Sequence, residues 1–400
     1  MSEAPALRID PPDFFADLAL VAVLDALPEA RVVGGAVRDA LSGYPVTDVD
    51  LATPREPAAI AGAFEAAGIR ALPTGVDHGT LTALVGGKGF EVTTLRRDVE
   101  TDGRHAVVAF TTDWQADAAR RDFTINALSM TRDGAVFDYF GGLADLRVGA
   151  VRFVGDPATR IAEDHLRILR FFRFHARYAA VRPAAQVCQV LREAAPLLGR
   201  LSAERVWGEL KRIMAAPDPR AAIHLMNELG VLAEAIPEGT DPARLNRMIA
   251  AGAPADPLLR IAALLTGDPG AFALRLRLSS AEGDRLAALA RTAPLQPGLS
   301  DADLRRRLAD AETATLIDRT WLDGDADPAW TGLRTRLAAT PRPRFPLEGR
   351  DVLAFGIAPG PEVGAMLREV RHWWMKGGCS ADADTLRQKL GRRIGQRHRG

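Results

Sequence analysis

Val32-Val-Gly-Gly-Ala-Val-Arg-Asp-Ala-Leu-Ser-Gly-Tyr-Pro-Val-Thr-Asp-Val-Asp50 decides the reading of this chain. A short apolar run ends in Gly34-Gly35, Arg38 follows one helical turn later, and Asp48 and Asp50 are separated by a single residue. In extended chain, positions i and i+2 point to one face, so Asp48 and Asp50 present two carboxylates side by side while Val49 turns into the core. Such like charges repel, and the arrangement becomes favourable when a hard cation neutralises them. Mg²⁺, held by one or two carboxylates and otherwise by substrate phosphates, fits that description. Gly34 and Gly35 expose backbone N–H groups at the entrance to a helix, whose N-terminus favours anions. Taken singly, a Gly-Gly is a tight turn and an Asp-x-Asp a solvated one. Together, in this order, they point to a triphosphate held on glycines and metal. Neither Gly-x-Gly-x-x-Gly nor Gly-Lys-Ser/Thr occurs here, which disfavours a dinucleotide fold and a P-loop.

Four hundred residues imply two to four domains. With 47% hydrophobic and 26% charged residues, the composition is that of a globular protein, and no apolar run reaches membrane-spanning length. The opening MSEAPALRIDPPDFF has an acidic residue and no apolar h-region, so it is read as no secretory signal and the chain as cytoplasmic. Cys188 and Cys379 lack Cys-x-x-Cys spacing and read as inert thiols of a reducing compartment. Net charge is zero, yet Arg387–Gly400 is strongly basic and arginines cluster between Arg160 and Arg177. Such patches suit phosphate contacts whatever the overall balance; for the tail, a solvated end is the equal alternative.

Strand-like and helix-like stretches alternate over the first 150 residues: strand Arg31–Val33, helix Ala36–Leu41, strand Val49–Ala52, helix Pro57–Ala67, then strands Thr80–Val85 and Phe90–Leu95 around a glycine-rich turn. From Asp156-Pro157, a capped helix start, strand signals almost vanish. Helices follow, broken near Pro217–Pro219, Pro237–Pro242, Gly252–Pro257, Pro294–Gly298 and Pro341–Pro346. The expected plan is an α/β head over 1–150, a helical segment over 151–237 and a helical remainder over 238–400.

Two further blocks carry chemistry. Arg120-Arg-Asp-Phe-Thr-Ile-Asn-Ala-Leu128 reads by itself as an amphipathic helix with Asp122 near its start. Glu163-Asp-His-Leu-Arg-Ile-Leu-Arg-Phe-Phe-Arg-Phe-His-Ala-Arg177 reads as one helix. Arg167, Arg170, Arg173 and Arg177 share its polar sector, Ile168, Leu169, Phe171 and Phe172 its apolar one, and Asp164 lies at the amino end. Its bland reading is a salt-bridged surface helix.

With the glycine pair and the two aspartates, these blocks resemble the polymerase-β-type nucleotidyltransferase superfamily, in the form found in class II tRNA nucleotidyltransferases (CCA-adding enzymes) and bacterial poly(A) polymerases. The resemblance implies an α+β fold: a nucleotidyltransferase head with a mixed sheet and helices, then an all-α neck, body and tail. It implies that Asp48 and Asp50 are catalytic and hold two Mg²⁺ ions. Gly34, Gly35, Arg38 and Arg121 would bind the triphosphate, with Arg120 as the alternative to Arg121. Asp164 and Arg167 would select the base, with Arg170 and Arg173 orienting them or contacting the nucleotide. The chemistry is sound: a carboxylate only accepts hydrogen bonds and a guanidinium only donates, which matches the edges of C and A and opposes those of G and U.

Pro73–Thr82 and Phe90–Arg97 resemble the tRNA nucleotidyltransferase version of the head, with Glu91 a candidate third carboxylate. Val99–Ala109 matches a loop of the family, and Leu201–Met214 its neck, in a supporting role. Trp373 and Trp374 read as core. The activity implied is addition of C-C-A to tRNA from CTP and ATP, with the body gripping the acceptor stem by shape and phosphates. A poly(A) polymerase, a C-C-only or A-only enzyme, and a non-catalytic RNA binder on the same fold are the alternatives. No His-Asp dipeptide occurs, against an appended phosphohydrolase domain.

Overall fold

Arg31–Val33 and Leu51–Thr53 are three-residue strands whose successive apolar side chains face two separate clusters. The computed structural model describes residues 4–75, 79–102 and 105–397. The chain divides into two units, Met1–Pro237 and Glu238–Gly400. The first begins β1 (Leu7–Arg8), α1 (Leu18–Ala26), β2 (Arg31–Val33), α2 (Gly35–Leu41), β3 (Leu51–Thr53), α3 (Pro57–Ala66), β4 (Arg70–Gly75), β5 (Thr80–Val85) and β6 (Lys88–Thr94). It continues through β7 (Arg96–Asp102), β8 (His105–Phe110), α4 (Trp114–Ala119), β9 (Ser129–Met130), β10 (Ala135–Phe137) and α5 (Gly142–Val148).

Eight of these strands form one mixed sheet in the order β1-β10-β9-β2-β3-β6-β5-β4. β3 and β6 run parallel, in register Leu51 to Val92, and the other pairs are antiparallel. A parallel pair needs a crossover, here made through α3, β4 and β5. Val32, Leu51 and Val92 point into a core shared with Val23 of α1 and Ile60 and Phe64 of α3. Their neighbours Val33 and Ala52 face the opposite side, with Leu95 and Trp114. Strands β7 and β8 pair as a separate hairpin. That hairpin spans the loop expected at Val99–Ala109; Gly103 and Arg104 lie outside the described residues.

The helical segment follows within the same unit: α6 (Pro157–Glu163), α7 (Arg167–Tyr178), α8 (Ala185–Ala194), α9 (Ala203–Met214), α10 (Arg220–Glu228) and α11 (Val231–Ala235). Asp156 caps α6 through the Thr159 N–H, and Pro157 takes the first helical position, as its sequence predicts. An aromatic cluster ties this segment to the head. Phe123 lies 5.2 Å from Phe174 and 4.8 Å from Phe153, centroid to centroid, and Phe153 stacks on Phe171 at 5.7 Å and 9°. Helices α7 and α9 pack on each other, burying Ile168, Leu169, Phe171 and Phe172 of the former and Val206, Leu210 and Ile213 of the latter.

Among the described residues the second unit is helical, apart from one isolated antiparallel bridge between Thr240 and Leu265. Four of its helices repeat the Asp-Pro start: Asp241, Asp256, Asp268 and Asp327 each accept a first-turn N–H, with proline next in sequence. Trp374 is buried beside Val370 and Leu390. Trp373, expected in the core, is instead 37% exposed, with Lys389 Nζ 5.2 Å from its ring centroid. The basic C-terminal stretch is a helix over Ala383–Arg397, and Arg387 and Arg393 pair with Asp351 and Glu369. No helix among the described residues is long and apolar enough to cross a membrane.

Candidate functional site

The site begins at the turn after β2. Gly34 has φ +66°, and a Cβ there would stand 3.0 Å from Arg121 Nη1. Glycine thus serves both the left-handed backbone and the approach of that guanidinium. Its own N–H donates to the Leu128 carbonyl at 3.1 Å, so it is not presented to a ligand as the sequence suggests. Leu128, the residue before β9, takes that donor. Gly35 opens α2.

Arg38, one turn along α2, is only 8% exposed. Its Nε donates to Asp39 Oδ1 at 2.9 Å and its Nη1 to Asn126 Oδ1 at 2.6 Å. The guanidinium also lies over the rings of Phe174 and Tyr178, 4.9 and 4.5 Å from their centroids. The Tyr178 hydroxyl donates to the same Asp39 oxygen. Burial, reinforced by Asp39, pushes the Tyr178 hydroxyl up to about 12.

Asp48 and Asp50 lie just before β3 rather than within it. The Val33 N–H already bonds the Asp50 carbonyl at 3.0 Å, and Val49 packs into the sheet core, so the alternation expected of a strand persists. Burial, with the negative charges of Glu91 and Asp48, holds the Asp50 carboxyl above its usual range, and Arg121 opposes them. The parallel register brings this about, since Asp50 and Glu91 each precede a paired residue, Leu51 and Val92. Among the described residues, no group of three or more His, Cys, Asp or Glu could by itself hold a metal ion. The protein offers a pair of carboxylates.

The block at Arg120 does not start a long helix. Helix α4 ends before it, Phe123 is extended and bridges Phe153, and Thr124–Asn126 forms one 3-10 turn. Burial of Phe123 in the aromatic cluster outweighs the local helical pattern. Asp122 therefore works at long range: Arg170 Nε donates to its Oδ2 at 2.6 Å and Asn126 Nδ2 to its Oδ1 at 2.9 Å. Burial alone would raise its carboxyl, but Arg170, Asn126 and Arg167 outweigh it and hold the group below its ordinary value. Arg120 and Arg121 both pair with buried Asp117, at 2.8 and 3.3 Å.

Glu163–Arg177 is likewise not one helix. Asp164 is extended (φ −152°, ψ 107°), and a turn separates α6 from α7. Asp164 Oδ1 accepts from the Leu166 N–H at 3.0 Å, and its Oδ2 from Arg205 Nη2 at 2.8 Å. Arg167, expected beside Asp164, bonds Glu163 and, at 2.8 Å, the Arg160 carbonyl. Arg173 bonds Glu209 at 3.1 Å; its burial, with Arg170 nearby, lowers it to about 10. Sequence reasoning assigned no chemistry to Asn126, Arg205 or Glu209. The legible signal was Glu209, a charge among Val206, Leu210 and Ile213 on the buried face of α9.

These groups surround one cleft of about 830 Å³. Gly34, Gly35, Arg38, Asp48, Asp50, Arg121, Asp164, Arg167, Arg170 and Arg173 all line it, whereas Arg120 and Glu91 do not. Its wall carries eight arginines against five aspartates, an excess of positive charge that suits an anionic ligand. Among the described residues, the cleft aspartates without an arginine bonded to them are Asp48 and Asp50, in the segment leading into β3, and the arginine row is on α7.

Residues 30–152 match the model of the poly A polymerase head domain, and 182–241 that of a probable RNA- and SrmB-binding site of polymerase A. Mitochondrial CCA tRNA nucleotidyltransferase 1 of Mus musculus is 39% identical over 378 residues, 90% of this chain and 85% of the mouse protein. The chain belongs to the CCA tRNA nucleotidyltransferase family. A second member, the CCA-adding enzyme of Lacticaseibacillus paracasei, is 32% identical over 95% of this chain and 96% of its own. The solved CCA-adding enzyme of Bacillus stearothermophilus, in complex with CTP, superposes with TM-score 0.76 at 25% identity, covering 98% of this chain and all of that one. The mixed-sheet head and helical remainder of this CCA tRNA nucleotidyltransferase are thus the fold of that structure.

Proposed function

We propose that this chain adds C-C-A to the 3′ end of tRNA, using CTP and ATP and releasing pyrophosphate, without a nucleic-acid template. The observation that carries the reading is the single cleft with two carboxylates before β3 and a row of arginines on α7. Family membership supports it, as does the likeness to an enzyme solved with CTP.

Asp48 and Asp50 are the catalytic pair. They fit magnesium: both are hard oxygen donors, and Asp50 is crowded by negative charge that a cation would relieve. Magnesium held there would polarise phosphoryl oxygens and acidify the attacking 3′-hydroxyl. Glu91 lies outside the cleft lining and acts on Asp50 through its field. Arg121, beside Gly34, binds phosphate oxygens through its forked donors. Arg38 is buried and committed to Asp39 and Asn126, so it lends positive charge to the glycine turn. Gly35 contributes backbone approach, and Gly34 makes room for Arg121.

Asp164 and Arg167 select the base. Each carboxylate oxygen has two acceptor directions, so Asp164 can accept a cytosine or adenine amine while keeping Arg205 and Leu166. Arg167 keeps Nη1 on Glu163 and the Arg160 carbonyl and donates to the adjacent ring nitrogen through its remaining N–H groups. Uracil and guanine would set a carbonyl against the carboxylate and an N–H against the guanidinium, at roughly 1–3 kcal/mol per unpaired group. Arg170 and Arg173, held by Asp122 and Glu209, keep that wall in position. In this reading 1–150 is the catalytic head, 151–237 the nucleotide-selecting neck, and 238–400 the tRNA-binding body and tail. The two buried thiols, Cys188 and Cys379, are free and fit a reducing cytoplasm.

Incubation of the protein with Mg²⁺, CTP, ATP and a tRNA ending before its CCA tests the proposal. Three residues added, then arrest, is the expected product. A long A tail would assign the chain to poly(A) synthesis, and no extension would refute an active transferase.

A further inference from the structure

A second groove, of about 500 Å³, lies beside the cleft in the first unit, where α2, α5 and α7 end. Leu41, Leu143 and Leu146 give it an apolar lining, and the rings of Tyr44 and Tyr178 meet there edge to face, at 5.6 Å and 80°. Arg147 and Arg177 line it too, and none of its described lining residues is acidic. Either arginine alone would be a last-turn cation answering its helix dipole. Among the described residues, however, neither pairs with a carboxylate, and the Arg177 guanidinium lies 4.8 Å from the Tyr44 ring centroid. Val148, beside them, is 54% exposed. The groove runs into the cleft, since Arg177 and Tyr178 line both. One loop joins them as well: Ser42 and Tyr44 line the groove, while Val46, Thr47, Asp48 and Asp50 line the cleft. The four residue steps from Tyr44 to Asp48 span about 14 Å at most, so the groove lies within a few nucleotides of the two aspartates.

We infer that this groove is a subsite for the unpaired RNA strand whose 3′ end enters the cleft. The inference rests on the reading above, that a tRNA 3′ end is brought to Asp48 and Asp50. A nucleotide of single-stranded RNA joins a flat, largely apolar base to an anionic phosphate. The groove matches both parts: unpaired bases stack on aromatic rings and guanidinium planes, and arginines without a carboxylate partner take phosphate oxygens. Stacking of this kind is tolerant of base identity, so choice of nucleotide stays with the row on α7. An apolar peptide would cover the leucines but bury Arg147 and Arg177 without a counter-charge, which is costly. Tyr44 therefore seats a base, Arg147 holds a phosphate, and Arg177 spans the passage from groove to cleft.

Fluorescence anisotropy tests this with two RNAs and no nucleoside triphosphate: a tRNA ending in C-C, which has an unpaired 3′ strand, and the same tRNA trimmed to its last base pair. The proteins are the wild type, Arg147→Ala, Arg147→Glu, Tyr44→Leu and Tyr44→Phe. Arg147→Glu and Tyr44→Leu are expected to weaken binding of the C-C RNA roughly tenfold, while Tyr44→Phe, which keeps the ring, stays near wild type. Arg147→Ala should lower the slope of log affinity against log salt by about 0.7, as one lost phosphate contact does. All variants should bind the trimmed RNA as the wild type does. Wild-type affinity of Arg147→Glu and Tyr44→Leu for the C-C RNA overturns the inference. Equal losses on both RNAs also overturn it, since the groove would then touch the paired stem. A changed oligomeric state with RNA binding intact overturns it in favour of a protein partner. The affinities need no turnover, so this inference fails separately from the proposed function, which falls if the wild type binds the C-C RNA but never extends it with ATP. Should Tyr44→Leu fail to fold, by circular dichroism, the two variants at exposed Arg147 carry the comparison.

Discussion

Substituting Asp122 by Asn should disturb both walls of the cleft, because this carboxylate joins them. Arg170 bonds it at 2.6 Å, it accepts from Asn126 Nδ2 at 2.9 Å, and Asn126 Oδ1 in turn accepts from Arg38 at 2.6 Å. An asparagine keeps the size and can still accept from Asn126 on one side. On the other it sets an amide N–H₂ against the Arg170 guanidinium, donor against donor. The Asp122 side chain is 8% exposed and that of Arg170 31%. Breaking a fully buried pair costs about 3–5 kcal/mol; with Arg170 partly open to water, we expect about 2–3 kcal/mol here. The assay is twofold: the urea midpoint, followed by circular dichroism, and kcat/KM for CTP. The midpoint should fall, and kcat/KM should fall about tenfold as Arg170 loses its anchor. An Asp122→Asn variant with the wild-type midpoint and wild-type CTP kinetics would refute the chain of contacts as a determinant of the site.

Asp50→Ala should abolish nucleotide transfer and leave tRNA binding intact; full activity in that variant would remove the metal assignment. Gly34→Ala should cost about 1–2 kcal/mol for φ +66° and displace Arg121, raising KM for both CTP and ATP. Unchanged KM would show that the Arg121 position does not matter. Arg167→Ala should relax base choice, seen as incorporation of UTP or GTP; continued rejection of both counts against its reading role. His175, 8% exposed and without a hydrogen-bond partner at either ring nitrogen among the described residues, is held at about 4 by burial and by Arg182. Its native pKa lies below the unfolded value, so the unfolded state binds more protons between pH 6.5 and 4, and the stability present above pH 6.5 drains as pH falls through that window. The drain reaches about 2–3 kcal/mol by pH 4.5, and His175→Phe should abolish it in paired urea titrations at pH 7 and 4.5. Equal losses in the two proteins would exclude His175 as the acid-sensitive group.

The parts of this fold that were legible are those decided locally. The turn from β2 into α2, the strand pair around Gly86-Gly87 and the Asp-Pro helix starts each follow from a few adjacent residues. The break at Asp164–Leu166 was not, because Glu163–Arg177 has an unbroken helical pattern. What interrupts it comes from afar: Arg205 holds Asp164, while the carbonyls of Arg160 and Arg120 take the Arg167 donors, at 2.8 and 3.4 Å. The same holds for Asp122, whose neighbours suggest a helix cap but whose partner, Arg170, stands 48 residues on. Resemblance to the family's motifs thus named side chains that line the cleft. It did not reveal which ions they pair with, since those pairs depend on how α7, α9 and the head pack.

A crystal structure of this protein with CTP and Mg²⁺ tests the central claim most directly. The account predicts the triphosphate beside Gly35 and Arg121, metal on Asp48 and Asp50, and the cytosine amine within hydrogen-bond distance of the Asp164 carboxylate. A nucleotide bound with its base away from Asp164 and Arg167, or its phosphates remote from the two aspartates, would contradict it.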